Sequence, residues 1–173
     1  MILYNSAFDL YHTIFRMLHL IDKIKSNNTI EVERLRIWDF YLLFPSEIFE
    51  IKPLRHEKDL KKLLKQFKIK KNNPYQKISD ERIILDKIEP YQLSALHCLA
   101  SYNIISKEDL LANRIQVISE DLLKDYIKNI GDLSFREKNI ITIVTSQFYD
   151  IKLGGNKGLK ERSNLLESKY DAE

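Results

Sequence analysis

One stretch of the chain limits its fold more than any other: Arg36-Ile-Trp-Asp-Phe-Tyr-Leu-Leu-Phe-Pro45. Its apolar residues are not confined to one stripe, and a helix that is hydrophobic all round is a buried central helix. The chain therefore reads as a compact helical body. The same stretch holds one carboxylate, Asp39. A buried charge without a partner is costly. Arg36, three residues back on the same helix, is the partner that helical spacing offers. The competing reading is a lone functional carboxylate.

At 173 residues the chain fits one domain and can bury roughly two-thirds of its unfolded surface. Hydrophobic content of 44% and charged content of 31% are those of a soluble globular protein. Cys98 is the single cysteine and can form no internal disulfide, which fits a reducing cytosol. The Met-Ile-Leu-Tyr start lacks the basic region of a signal peptide. No apolar run approaches the ~20 residues that span a bilayer. A cytoplasmic location is expected.

Periodicity and punctuation predict a mainly α chain, residues 1–173, with a few short strands. A first helix covers 6–25, with Phe8, Tyr11, Ile14, Phe15, Leu18 and Ile21 inward and Asp9, His12, Arg16, His19 and Lys23 outward. Thr29 caps the central helix, which stops at Pro45. A third helix covers 57–69. In block 79–118, Ser79 caps a helix that Glu89-Pro90 ends, and Pro90 opens the next, which runs to Tyr102. Ile104-Ile105, a small helix from Ser106 and a strand at 115–118 follow. Helix, tight turn, helix, strand, strand is the order of a winged helix. Residues 119–173 add C-terminal helices: one closed by Gly131, one opened by the Ser134/Glu137 capping box, and a last one from Lys157 to Ser168.

Motifs for chemistry are weak. His12 and His19 lie two turns apart, about 10 Å by helix rise, and no histidine or cysteine pair has zinc-ligand spacing. Gly154-Gly-Asn-Lys-Gly158 lacks the Gly-x4-Gly-Lys-Ser/Thr order of a phosphate loop and reads as a plain interhelical loop. Glu167-Ser-Lys169 matches a nuclease fragment but lies in a polar terminal helix, so chance is the better reading. No catalytic residue, cofactor site or metal site is assigned, and the expectation is a protein that is not an enzyme.

Charge is unevenly placed. The net is +3, yet Arg55 to Lys71 holds eight Lys/Arg against two acidic residues, so that segment is +6 and the rest −3. Lys58, Lys61, Lys62, Lys65 and Lys68 line one side of the third helix, opposite Leu60, Leu63, Leu64 and Phe67. A solvated face is one reading. Contact with a DNA backbone is the second, since clustered lysines neutralise phosphates without reading sequence. A membrane surface is the weakest, because the apolar side lacks Trp. The helix that would enter a major groove, Pro90 to Tyr102, carries no Arg or Lys. Gln92 is its one adenine reader. A protein-binding winged helix is therefore preferred over a sequence-specific DNA reader.

The chain also resembles a family. The resemblance is carried by Tyr4-Asn-Ser-Ala-Phe-Asp-Leu-Tyr-His-x2-Phe-Arg, by Arg34-Leu-Arg-Ile-Trp-Asp-Phe-Tyr-Leu-Leu-Phe-Pro45 and by Asn73-Pro-Tyr75. It closes with Gly158-Leu-Lys-x-Arg-x2-Leu-Leu-Glu and Tyr170-Asp171. These are similar to middle component type five of the bacterial ABC-three component systems, related to the small subunit of Lamassu-like anti-phage and anti-plasmid defence. The resemblance implies a helical, winged-helix adaptor between an SMC-like ABC ATPase, which senses DNA, and an effector, often a nuclease. It offers no catalytic residues. Asp9, His12 and Arg16 at one end, with Lys160, Arg162 and Tyr170 at the other, are the expected docking residues. The runner-up function is a stand-alone winged-helix DNA-binding regulator.

Overall fold

A computed structural model of the chain describes residues 5–24, 28–51, 58–71, 78 and 80–167. A 3-10 turn, Ser6–Phe8, leads into α1 (Leu10–Ile21). Strand β1 (Thr29–Glu31) runs straight into α2 (Val32–Leu43), and a second 3-10 turn, Pro45–Glu50, follows. Then come α3 (Lys58–Gln66), α4 (Glu81–Ser101), α5 (Lys107–Leu111), β2 (Arg114–Gln116), α6 (Glu120–Ile130), α7 (Phe135–Gln147) and α8 (Leu159–Ser163). The protein is mainly α with one small antiparallel sheet, as the periodicity predicts.

Helix α2 is the axis of the core. Every residue from Val32 to Leu42 except Glu33 is buried. Trp38, Phe40 and Ile37 are fully enclosed, with Tyr41 nearly so. Helices α1, α4 and α7 pack around it. Pro45 ends it, since proline brings no N–H and fixes its own φ.

Local signals set most helix starts. Side chains of Asp9, Asp80, Ser106 and Ser119 accept from the backbone N–H three residues on. Ser134 and Glu137 form the expected capping box. Asp9 thus starts α1, so the expected 6–25 helix is a 3-10 turn and a shorter α-helix. Ser79, expected as the cap of α4, lies outside the described residues, and Asp80 caps instead.

Three expectations are corrected. The face assignment of α1 fails in part: Arg16 and His19, expected outward, are buried and Tyr11, expected inward, is 62% exposed, while Leu18 and Ile21 are buried as expected. Thr29 does not cap α2. Residues 29–31 pair with 116–114 through Thr29↔Gln116, Ile30↔Ile115 and Glu31↔Arg114, with Ile105↔Val117 extending the ladder as an isolated bridge. Third, Glu89-Pro90 does not break the chain. Helix α4 runs unbroken through Pro90 for 21 residues, so block 79–118 lacks the tight turn between two helices. Pro90 is on the exposed side, where Asp86, four residues back and also exposed, can turn its carbonyl to water. Burial of Leu85, Ile88, Gln92, Ala95, Leu96 and Leu99 outweighs the cost of a proline inside a helix, on the order of 3 kcal/mol.

The C-terminal segment closes on the core. Leu159 and Lys160 donate their N–H groups to the carbonyls of Lys152 and Leu153 at 2.7 and 3.0 Å, folding 152–160 into a closed loop. A Cβ on Gly158 would lie 2.3 Å from the Gly154 oxygen, so this closure requires glycine. Leu159 and Leu165 are buried. Arg82 on α4 donates to the Asn164 carbonyl and side-chain oxygens at 2.7 and 2.6 Å. The expected helix to Ser168 ends earlier, at Asn164 in the left-handed region.

Candidate functional site

The lysine face is built on α3. Leu60 and Leu64 are buried and Leu63 and Phe67 half-buried against the core, with α7 as the helix beneath. That anchors one side and turns the other outward. Lys61, Lys62, Lys65 and Lys68 are exposed, and among the described residues no hydrogen bond or ion pair engages them. The side chain of Lys58 lies outside the described residues. Backbone positions 58 to 65 span roughly 10 Å along the axis. The helix closes with Lys68 at φ 51 and the Ile69 N–H donating to the Leu64 carbonyl at 3.1 Å, a Schellman-type end that holds Lys68 beside the row. The result is a compact cationic ridge with little to read a base by.

The other charge cluster is internal. Asp39 is fully buried, and its partner is Arg16 of α1: Nε donates to Oδ1 at 2.5 Å and Nη2 to Oδ2 at 3.2 Å. Gln92 of α4 donates from Nε2 to the same Oδ2 at 2.9 Å. Arg36, the expected partner, instead donates to Gln92 Oε1 at 3.1 Å and pairs with Glu89 at 3.2 Å. Arg16 also donates to the Ser6 carbonyl and Thr13 hydroxyl. The knot therefore joins α1, α2 and α4, and Asp39 is structural. A signal for it lies in the sequence: Thr13, Arg16, Met17 and Leu20 share a helical stripe, which places Arg16 among core residues.

Gln92 is thereby withdrawn as an adenine reader, because both ends of its amide are engaged inside the core. The expected docking residues are also dispersed. Asp9 caps α1, His12 is half-buried and Arg16 is buried. Lys160 is 6% exposed, with Nζ 2.7 Å from Glu33 Oε2. Arg162 is half-buried on α8. Tyr170 lies outside the described residues, as do Asn73-Pro-Tyr75 and most of Glu167-Ser-Lys169. Two of the six, Arg16 and Lys160, are buried in ion pairs of the chain's own interior. In the segment from Lys157 to Asn164, Leu159, Lys160 and Ser163 are buried on the chain's own core.

One basic residue, which entered only as part of a motif, has a role the sequence does not announce. Arg34 donates from Nη1 to the carbonyls of Phe148, Tyr149 and Ile151 at 2.7, 3.2 and 2.8 Å, and from Nε to Glu31 at 2.7 Å. It satisfies the open end of α7 with a positive charge where the helix dipole favours one. Burial is the strongest influence on the Glu31 carboxyl and raises it, but the Arg34 hydrogen bond, its own backbone N–H and the charges of Arg34 and Arg114 together outweigh this and hold it below its ordinary range. Burial, with Glu81 and Glu47 nearby, pushes the Tyr41 phenol well above its ordinary value, and the Ser163 hydroxyl bonded to it offsets this only in part.

Two open clefts flank these elements. The larger, about 680 Å³, is lined by Glu31, Arg34 and Tyr149 to Asn156. The smaller, about 390 Å³, lies between Asp22, Lys23, Ile24, Val117 and the start of α6. In the larger cleft the Glu31–Arg34 pair is committed to the end of α7. Among the described residues no group of three or more His, Cys, Asp or Glu is placed to hold a metal ion. No helix among them is long and apolar enough to cross a membrane.

No curated protein and no solved structure matches the chain. A family model does, over residues 2–171: ABC-three component (ABC-3C) system Middle Component 5. That span takes in the lysine ridge, the buried knot and the closed C-terminal loop alike. The chain belongs to the middle component 5 family of ABC-three component systems.

Proposed function

We propose that this chain is a non-enzymatic adaptor subunit that bridges an SMC-like ABC ATPase and an effector nuclease in a DNA-surveillance complex against phage or plasmids. The observation that carries the reading is membership of a three-component family along nearly the whole chain. The chemistry supports it: buried Arg16, Arg34, Arg36 and Asp39 are tied into networks that position helices. Bridging is tested by co-expressing the full chain with the ATPase and effector of its system. The two partners are expected to co-purify only when this chain is present. An ATPase–effector complex that forms equally well without it breaks the bridging role.

Within that assembly the α3 ridge is the surface suited to DNA. Lys58, Lys61, Lys62, Lys65 and Lys68 would neutralise backbone phosphates and steer the complex onto any sequence. Binding is then weak, salt-sensitive and indifferent to sequence. A stand-alone regulator would show a footprint at one defined operator instead.

A further inference from the structure

The outward side of α6 and the end of α4 carry a second surface, opposite in character to α3. Tyr102 is 55% exposed, Ile118 54% and Leu122 41%. They are neighbours. The Tyr102 and Tyr126 rings lie 5.9 Å apart between centroids. Leu122 and Tyr126 are one turn apart on α6. The Ile118 N–H donates to the Ile104 carbonyl at 3.0 Å, which holds Ile118 beside the end of α4. Large apolar side chains clustered in water, as opposed to scattered singly, mark an interaction surface. The patch is also rigid, because Ser119 caps α6 and Leu123 buries its inner side.

Charge says what covers it. Asp121 and Asp125 are exposed on α6 directly beside Leu122 and Tyr126, and among the described residues neither carboxylate has an ion-pair partner. Lys124, further round the helix, pairs with Glu120 at 3.7 Å, and Lys128, exposed one turn past Asp125, leaves the row with two carboxylates against one ammonium, still net negative. An acidic row beside an apolar one repels phosphate, so nucleic acid is the wrong occupant. A second copy of this chain fits poorly too. Its basic helix has the complementary charge, but the apolar stripe of that helix, Leu60 and Leu64, is already buried on its own core. We propose that Tyr102, Ile118, Leu122 and Tyr126, edged by Asp121 and Asp125, form the docking surface for a helix of a neighbouring subunit whose apolar ridge is flanked by lysine or arginine. This rests on the adaptor reading and names the surface through which one partner is held.

The test uses the full chain with the ATPase and the effector of its system, each purified. Affinity for each is measured by surface plasmon resonance at two salt concentrations. Two variants are compared with the wild type: Tyr102→Ala/Leu122→Ala and Asp121→Lys/Asp125→Lys. The second touches only exposed positions, and its thermal unfolding is expected to match the wild type. Each variant is expected to bind one of the two proteins at least ~10-fold more weakly while keeping the other, since aromatic anchors dominate such interfaces. Wild-type affinity of the Asp121→Lys/Asp125→Lys protein for both overturns the proposal, whatever the first variant does. A wild type that dimerises, and becomes monomeric in the Tyr102→Ala/Leu122→Ala variant, overturns the choice of occupant. A wild type that binds neither protein removes the adaptor reading itself. That outcome is distinct from a wild type that binds both through some other face.

Discussion

Arg16, Arg34 and Arg36 carry the same charge as Lys61, Lys62 and Lys65, yet the arginines are buried and the lysines stand in water. The difference follows from the side chains and from what surrounds them. A guanidinium is weakly hydrated and offers five donors in a rigid fork, so it can be enclosed if its neighbours accept. Arg34 finds three carbonyls and a carboxylate, and Arg16 finds Asp39, Thr13 and Ser6. An ammonium is more strongly hydrated, and the α3 lysines have no acceptor among the described residues. Lys160 is the exception, with Glu33 at 2.7 Å. One set of charges is tied into the fold, and the other stands outside it among the described residues.

The sharpest way to break that comparison is to remove Asp39. Asp39→Ala leaves Arg16 charged and buried without its partner, which typically costs about 3–5 kcal/mol. For a chain of this length that lowers the melting temperature by roughly 10 °C. Arg16→Met/Asp39→Leu is expected to be more stable than Arg16→Met or Asp39→Ala alone, because neither charge of the pair is left buried without the other. Thermal unfolding of the three variants decides it. A melting temperature within 2 °C of wild type for Asp39→Ala would show that the knot is dispensable.

Arg34→Ala ranks next. It strips the charge and donor from the end of α7, leaving the Phe148 carbonyl buried, while Glu31, Tyr149 and Ile151 line the adjoining cleft. Hydrogen bonds to a charged group contribute about 1.5–3 kcal/mol, and relief by water in the cleft brings the expected loss to about 2 kcal/mol. Urea midpoints measure it.

The lysines should behave in the opposite way. Lys61→Glu/Lys62→Glu/Lys65→Glu is expected to change unfolding free energy by less than about 1 kcal/mol, since exposed charges contribute little. Binding to a duplex of arbitrary sequence should fall steeply. The slope of log affinity against log salt should shrink by roughly 0.9 for each phosphate contact removed. Unchanged DNA affinity with a large loss of stability would reverse the roles assigned to the two sets.

Much of this was legible in the residues, and the failures share a cause. The all-round apolar stretch of α2 and the caps at Ser106, Ser119 and Ser134 depend on nearby residues, and they were readable. The partner of Asp39 was misassigned because spacing along one helix favours Arg36, whereas Arg16 arrives from 23 residues away through helix packing. Strand β1 is three residues long, and its partner lies more than 80 residues on, so no local pattern announces it. The continuity of α4 through Pro90 goes with burial of residues on both sides of it, Leu85 and Ile88 before and Gln92, Ala95 and Leu96 after, which only folding supplies. The lysine face was readable as amphipathic spacing. That Lys160 points inward was not, because Glu33 becomes its neighbour only after the loop at Gly158 closes.

The smallest expected effect concerns His19, a basic group that belongs to the buried set without carrying a charge. It is 6% exposed, its ring packs edge-on against Phe15 at 4.7 Å, and Nε2 lies 3.2 Å from the Gly131 carbonyl, where it donates as the neutral tautomer. Burial lowers its pKa below 6.5, and the Gly131 carbonyl, Asp22 and Glu137 only partly counter this, with Lys23 acting in the same direction as burial. The unfolded chain therefore takes up a proton near pH 6.5, while the folded chain resists until a lower pH. Over that window the unfolded state binds more protons, so stability falls as the pH is lowered and levels off once the folded histidine titrates. One proton limits the slope to about 1.4 kcal/mol per pH unit. Urea midpoints at pH 7.5, 6.5 and 5.5 are expected to decline less steeply in His19→Gln than in wild type. The remaining histidines are common to both proteins and cancel in the difference. Parallel declines would mean that His19 titrates as freely as a surface group, and the line between buried and solvated basic residues would have to be redrawn to leave it outside.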